Sequence, residues 1–402
     1  MLTLPLMLIA PSFAQRTASV GRDIVTSQAA RQHLDELFGE SLHAKRVRSL
    51  ADGVVGILHA AQLGVSVIGR AMAAQLGLEP KHAIKQFDRL LSNQGIQPWD
   101  LFAPWVTFVL GDRPEAVVIL DWTDFHADGH KTCMASLVTT HGRATPLVWK
   151  TVPCDAPSGT QRRTENEILD RLQELIPRAV RLTLLADRGF GDVARYSDLE
   201  SMGWDFVIRF RANVLITDAQ GVCKPARDRI PTSGRAVRLS NVEVTTDKEA
   251  LPAVVLVRKR GMKEAWVLAT SRTDLSAAQV VKLYGRRFTI EETFRDQKDP
   301  RFGYGLKNTR LGSPERRDRM LLLFALADAL LVLLGAAAEA VGLDRRMKSN
   351  TSKKRAHSLL HQGQYWFSAL PQMPEAWLRL LMEKFDELIR EQGLTRLIVG
   401  VL

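Results

Sequence analysis

Residues 116–152 read AVVILDWTDFHADGHKTCMASLVTTHGRATPLVWKTV, and the fold is decided within and just beyond them. Ala116 through Leu120 is a short apolar run ending in Asp121, as expected of a buried strand. Asp128 and Gly129 signal a hairpin turn, and a second strand is expected over 131–139. His141 and Gly142 then turn the chain into a third, over 145–152. Downstream, Thr164 and Glu167 form a capping-box pattern ahead of Ile168, Leu169, Leu172, Leu175 and Ile176 at helical spacing. Residues 180–186 return to a buried strand, and it too ends in an aspartate, Asp187. A helix over 193–202 and a strand over 205–209 complete the run.

Three strands in hairpin order, followed by helix, strand, helix and strand, match a ribonuclease-H-like α/β core. Residues 211–263 break the rhythm: they are turn-rich and basic, with strand candidates at 237–244 and 253–257, and read as a β-rich insertion. The core resumes at 265–270. Ser276 and Gln279 form a second capping box, opening a long helix that runs to about Asp299. A buried helix over 314–343 and a basic, polar loop over 345–355 follow. The catalytic domain therefore spans 110–345, and a small helical region, a candidate for dimerisation, occupies 346–402.

Upstream, residues 26–105 read as a helical DNA-binding domain. Ser66 is placed to cap a helix over 67–76, Gly77 to end it, and Pro80 to open the next, over 81–91. This resembles a helix-turn-helix pair. In the second helix Ile84, Phe87, Leu90 and Leu91 share one face, while Lys81, Lys85 and Arg89 recur every four residues on another. The basic face either meets phosphates and bases or is simply solvated; these residues alone do not choose.

The 402-residue chain is 46% hydrophobic and 25% charged, which excludes a disordered chain. Its net charge of +11 favours a polyanionic partner. Cys133, Cys154 and Cys223 are odd in number and far apart, so no disulfide framework is expected and a cytoplasmic location is. Residues 1–25 contain an apolar run with no positive charge ahead of it, and read as a disordered leader or a mis-assigned start rather than a signal peptide. Residues 320–338 are long enough to span a membrane, but Asp328 interrupts them and Arg316, Arg317 and Arg319 precede them without a second span; a buried core helix and no membrane are expected.

An aspartate at the end of each of two buried strands is chemically informative. Neighbouring strand ends lie close together, and two carboxylates there repel unless a cation sits between them. Such oxygen ligands suit Mg²⁺ or Mn²⁺, and two ions held together activate an attacking oxygen and stabilise a leaving one in phosphoryl transfer. Taken singly, each aspartate is equally a strand-end residue entering a turn. On the long helix, Tyr284, Arg287, Glu291 and Lys298 fall within a stripe roughly 60° wide at about 100° per residue. Glu292 lies about 100° away, which singles out Glu291. An exposed helix with internal ion pairs satisfies the same composition.

The string YGRRFTIEETFRDQK, at 284–298, contains Y-x2-R-x3-E-x6-K and resembles the hallmark of insertion-sequence DDE transposases of the IS-four family. LDWTDF around Asp121 and LADRGF around Asp187 resemble that family's two aspartate motifs, and RLLSN at 89–93 the end of its N-terminal region. The likeness covers roughly residues 40–345, and from 264 through 319 it is nearest to the transposon-ten branch. It implies that Asp121, Asp187 and Glu291 bind two Mg²⁺ or Mn²⁺ ions and carry the chemistry. It implies that Tyr284, Arg287 and Lys298 hold phosphates near the transposon end. Trp266 matches a tryptophan on which a flipped base stacks, and Phe288 stands where a relative has a second one. The reaction implied is cut-and-paste transposition through a DNA hairpin, in a homodimeric synaptic complex on terminal inverted repeats and target DNA, close to the nucleoid. A catalytically inactive DNA-binding relative, acting as a transposition inhibitor, and a ribonuclease-H-like nuclease without strand transfer are the alternatives. His126 and His130 lie near Asp121 and Asp124 but flank a turn and lack a ligand pair elsewhere, so zinc is not expected.

Overall fold

The computed structural model describes residues 27–301 and 303–390. The expected leader therefore lies outside the described residues, as does the end of the C-terminal region. The described chain divides into two compact units. One is helical and takes the residues up to Leu101, Gly303–Thr309, and those from Arg319 onward; the other takes 102–301 and Arg310–Asp318.

In the helical unit, helices α1 (Ser27–Phe38), α2 (Ala44–Ala60), α3 (Val65–Leu76) and α4 (Pro80–Leu91) follow one another. Gly77 ends α3 at φ 64, where a left-handed residue without Cβ is unstrained, and Pro80 opens α4 at its first turn. The cap of α3 differs from expectation. Gly64, not Ser66, is its N-cap, and no side chain caps it, so the helix starts two residues early. Gly69 has no Cβ to meet the backbone of Ile84, and this absence lets α4 lie close against α3. Phe87, Leu90 and Leu91 of α4 are buried, as their spacing predicts.

Helix α5 (Pro98–Leu110) leads to the strands of the second unit, which form one ten-stranded sheet. Its strands are β1 (Glu115–Phe125), β2 (His130–Val138), β3 (Ala144–Pro153), β4 (Arg181–Ala186), β5 (Asp205–Arg209), β6 (Leu215–Thr217), β7 (Cys223–Pro225), β8 (Val237–Val244), β9 (Glu249–Val257) and β10 (Trp266–Thr270). Their order is β3-β2-β1-β4-β5-β10-β9-β8-β6-β7. Strands β1, β4 and β5 are parallel, and every other pairing is antiparallel. The turn-rich stretch after β5 thus extends the sheet beyond β10. Pro146 sits in edge strand β3, where a missing N–H donor is tolerated, and its carbonyl accepts the Trp105 indole N–H at 2.9 Å.

Helix α6 (Thr160–Leu175) starts four residues before the expected box. Gly159, at φ 84, turns the chain into the helix, and Thr164 is then an interior residue whose hydroxyl donates to the Thr160 carbonyl. Glu167 pairs with Lys150 at 2.5 Å instead of capping. Helix α7 (Val193–Ser201) is capped by Asp192. The expected long helix is two: α8 (Ala277–Gly285), opened by the Ser276–Gln279 capping box, and α9 (Thr289–Lys298). A single 3₁₀ turn, Arg286–Phe288, joins them. Tighter winding there shifts the angular positions that an unbroken α-helix would give.

Helix α10 (Pro314–Ala340) is, among the described residues, the one helix long and apolar enough to cross a membrane, and nearly all of that apolar length is buried. In the helical unit its Gly335 and the Gly363 of α11 (Leu359–Ala369) have no Cβ that would overlap the backbones of Leu359 and Leu331, so the two helices cross closely. Helix α12 (Glu375–Arg390) follows.

A candidate active site of three carboxylates

Parallel pairing of β1 with β4 ends at the rung Leu120↔Ala186, and the next residue on each strand is an aspartate. Asp121 and Asp187 therefore stand side by side on one face of the sheet. The sequence placed Asp121 at a strand end. In the structure β1 continues against β2 as far as Phe125, and only its edge toward β4 stops at the aspartate. The β4 chain turns away at once through a 3₁₀ turn, Arg188–Phe190, which Asp187 precedes. Gly191 returns it past β5 so closely that a Cβ there would meet the Arg209 carbonyl at 2.7 Å.

Helices α8 and α9, with the turn between them, bring Tyr284, Arg287 and Glu291 of the expected stripe to this face. The Arg287 guanidinium, almost wholly buried, donates from Nη1 to Asp121 Oδ2 at 2.9 Å and from Nη2 to Glu291 Oε1 at 2.8 Å. The same Nη2 lies 3.9 Å from Asp187 Oδ2. Tyr284, also buried, donates its hydroxyl to Asp187 Oδ1 at 3.2 Å. The three carboxylates thus surround one cation. Glu292 turns elsewhere, to Arg143 at 3.7 Å and to Arg295.

Electrostatics follow from this enclosure. Burial raises the Asp121 carboxyl to about 6, against the opposing pull of Arg287 and of the Trp122 N–H it accepts. Burial likewise raises the Tyr284 hydroxyl, and Asp187 adds to the effect, so the phenol stays a donor. Burial works against the charge on Arg287, but Tyr284, Asp121, Asp187 and Glu291 together hold its proton more tightly than usual. Lys298 is pulled down by burial and partly restored by Asp124. Its ammonium stands 4.9 Å from the Phe125 ring centre, at the Asp124 end of β1 rather than on Glu291.

An aromatic shelf borders the carboxylates. The Trp266 ring packs edge-on to Tyr284 at 4.9 Å and lies 5.9 Å from Phe288, which is 40% exposed and has the Arg287 guanidinium 5.0 Å over its ring. Sequence reasoning missed Arg209, Arg188 and Glu264. Arg209 Nη1 lies 3.8 Å from Asp187 Oδ1, and Glu264 holds Arg209 at 2.5 Å and Arg188 at 3.2 Å. The available signal was that Arg209 ends β5, the parallel neighbour of β4. Trp122, next to Asp121, donates to Glu165 at 2.8 Å, and Glu165 pairs with the buried Arg195 at 3.0 Å. This network ties α6 and α7 beneath the strand ends.

Carboxylate oxygens, the ligand type that hard divalent cations take, converge here from three elements on the Arg287 guanidinium. Among the described residues no three acids, histidines or cysteines are closed to metal-ligand spacing. Lys81, Lys85 and Arg89 belong to the helical unit and are exposed along α4. Lys85 and Arg89 line a cavity of ≈ 520 Å³ together with Ser49, His82, Gln86 and Asn93.

Comparison with curated proteins finds no match. A family model does match, and its residues 112–327 take in every strand of the sheet, the three carboxylates and the stripe. By that match, over more than half of its length, this chain belongs to the transposase DDE domain family.

Proposed function

We propose that the protein is a cut-and-paste DNA transposase of the IS-four kind, nearest to the transposon-ten branch. Asp121, Asp187 and Glu291 are its catalytic and metal-binding residues in this reading. The observation that carries it is the enclosure of one buried cation by these three carboxylates, with an aromatic shelf beside them. The strand order β3-β2-β1-β4-β5, with β1, β4 and β5 parallel, supports a ribonuclease-H-like core, and β6 to β9 support the β insertion.

Two Mg²⁺ or Mn²⁺ ions held by the carboxylates would supply the charge that activates an attacking oxygen and stabilises a leaving one. The residues themselves account for the rest. Tyr284, Arg287 and Lys298 grip phosphates of the transposon end and fix the scissile phosphorus for in-line attack. Water hydrolyses one strand, leaving a 3′-OH. That hydroxyl displaces the opposite strand, closing a hairpin and releasing the flanking DNA. A second hydrolysis opens the hairpin, and the 3′-OH then attacks target DNA. Trp266, with Phe288 beside it, receives the base flipped out at the hairpin tip and offsets its lost stacking. Lys81, Lys85 and Arg89 bind the terminal inverted repeats, and two copies, joined through 346–402, pair the ends in the cytoplasm at the nucleoid.

Incubation of the protein with duplexes carrying its element's ends and Mg²⁺, read on denaturing gels, tests this. Nicked strands followed by a hairpin of twice the strand length are expected. Blunt double-strand cleavage without a hairpin rejects the proposed route. Binding without cleavage favours the inactive, inhibitory relative.

A further inference from the structure

The loop after α10 uses half of its cations to hold itself in shape and leaves the other half free. Residues 344–355 carry Arg345, Arg346, Lys348, Lys353, Lys354 and Arg355 against a single acid, Asp344. Gly342, at φ 79, ends the helical run and a 3₁₀ turn, Leu343–Met347, begins the loop. Lys348 is tied to Asp344 at 2.7 Å and to the Lys354 carbonyl at 3.4 Å. Arg355 grips Glu339 of α10 with two hydrogen bonds, at 2.8 and 2.6 Å. The Arg346 guanidinium lies 3.6 Å over the Trp377 ring of α12.

Arg345, Lys353 and Lys354 are exposed, and among the described residues no ion pair or hydrogen bond engages their charged groups; Lys354 is held only through its carbonyl, by Lys348 and Ser352. Arg345 and Lys353 line a cavity of ≈ 640 Å³, whose wall also presents Ser349, Asn350 and Ser352. Free cations beside hydroxyl and amide donors are the groups that contact phosphate and sugar. No aromatic ring lines the cavity to stack a base, and the face of Trp377 is covered by Arg346. The anchoring pairs fix the loop beforehand, so little ordering is lost on binding.

We propose that this loop is a sequence-independent contact for the sugar–phosphate backbone of duplex DNA. It rests on the DNA-binding reading above, but assigns a surface outside both the carboxylates and the basic face of α4. Each free cation that neutralises a phosphate adds about 0.9 to the salt dependence of log K for B-DNA.

The test uses the full chain and the triple variant Arg345→Ala, Lys353→Ala, Lys354→Ala. Fluorescence anisotropy is measured from 50 to 200 mM salt on an element-end duplex and on a scrambled duplex of equal length. The slope should flatten by about three units on both, so that the rise in salt costs the variant about 40-fold less affinity than the wild type. The charge-preserving variant Arg345→Lys, Lys353→Arg, Lys354→Arg should keep the wild-type slope. If the triple variant does not fold, single substitutions should each remove about one unit. Wild-type binding with unchanged slopes in the variants overturns the loop alone, as does a loss confined to the element-end duplex. Failure of the wild type to bind either duplex overturns the DNA-binding reading itself.

Discussion

Replacing Arg287 by methionine keeps much of the side chain's bulk and removes the charge that three carboxylates surround. Its guanidinium makes hydrogen bonds of 2.9 and 2.8 Å to Asp121 and Glu291 and approaches Asp187 to 3.9 Å. Removing one partner of a buried pair costs about 3–5 kcal/mol. Here the Arg287 side chain is only 6% exposed, but Glu291 is 52% exposed, and solvent screens that part of the interaction. A loss of about 2–3 kcal/mol is therefore expected near pH 8, equivalent to about 4–12 °C in Tm. The pH dependence identifies the cause. Asp121 ionises at about 6 in the folded protein, above its ordinary value, and higher still once Arg287 is gone. The folded variant then binds more protons than the wild type at and above that pH, so its deficit grows as pH rises from 6 to 8 and shrinks toward pH 5.5. Thermal unfolding in chelator at pH 5.5, 7 and 8 measures this. Arg287→Lys, which keeps the charge but not the fork, should recover part of the deficit. An Arg287→Met deficit that is equal at pH 5.5 and 8 would refute the electrostatic account, leaving only lost packing.

Asp318 is half-buried, accepts from the Thr151 N–H and hydroxyl at 3.1 and 2.6 Å, and is pushed up by desolvation to about 7. Its folded value exceeds its unfolded one, so the stability it allows is present below pH 4 and lost as pH rises toward 7, by about 4 kcal/mol. Asp318→Asn should flatten that segment of the Tm–pH curve; an unchanged curve contradicts the assignment. Gly191→Ala should lower both Tm and DNA cleavage, because its Cβ would meet the Arg209 carbonyl at 2.7 Å and displace the turn after Asp187. Wild-type cleavage by that variant would mean the turn moves freely. Trp266→Ala should retain the first nick and lose at least tenfold in hairpin yield on a denaturing gel, since base stacking is worth about 1–3 kcal/mol. Undiminished hairpin yield would remove the ring from the reaction.

The strands were legible because apolar runs between turn residues have few other fates: β5 and β8 lie where the sequence puts them. What the sequence could not supply was register. Asp121 looked like a strand end, and only the rung Leu120↔Ala186 explains why it stands beside Asp187 while its strand runs on. Helical angle selected Glu291 over Glu292 even though the 3₁₀ turn at Arg286–Phe288 breaks the helix assumed. Lys298, two further turns along, sits at Asp124 and Phe125 instead. Helix starts were misjudged at α3 and α6 for one physical reason. In both a glycine preceding the expected cap opened the helix, and Ser66 and Thr164 became interior residues. The Arg209–Glu264 pair joins residues on either side of the turn-rich stretch, a separation over which no local pattern operates.

The central claim is that Asp121, Asp187 and Glu291 act as one catalytic set. The most direct measurement is cleavage of an element-end duplex in Mg²⁺ by wild type, Asp121→Asn, Asp187→Asn and Glu291→Gln, with DNA binding measured in parallel. The account predicts nicks and hairpins from the wild type, and from each variant undiminished binding with cleavage lowered at least a thousandfold, about 4 kcal/mol of transition-state stabilisation. Cleavage by Glu291→Gln at the wild-type rate would contradict it.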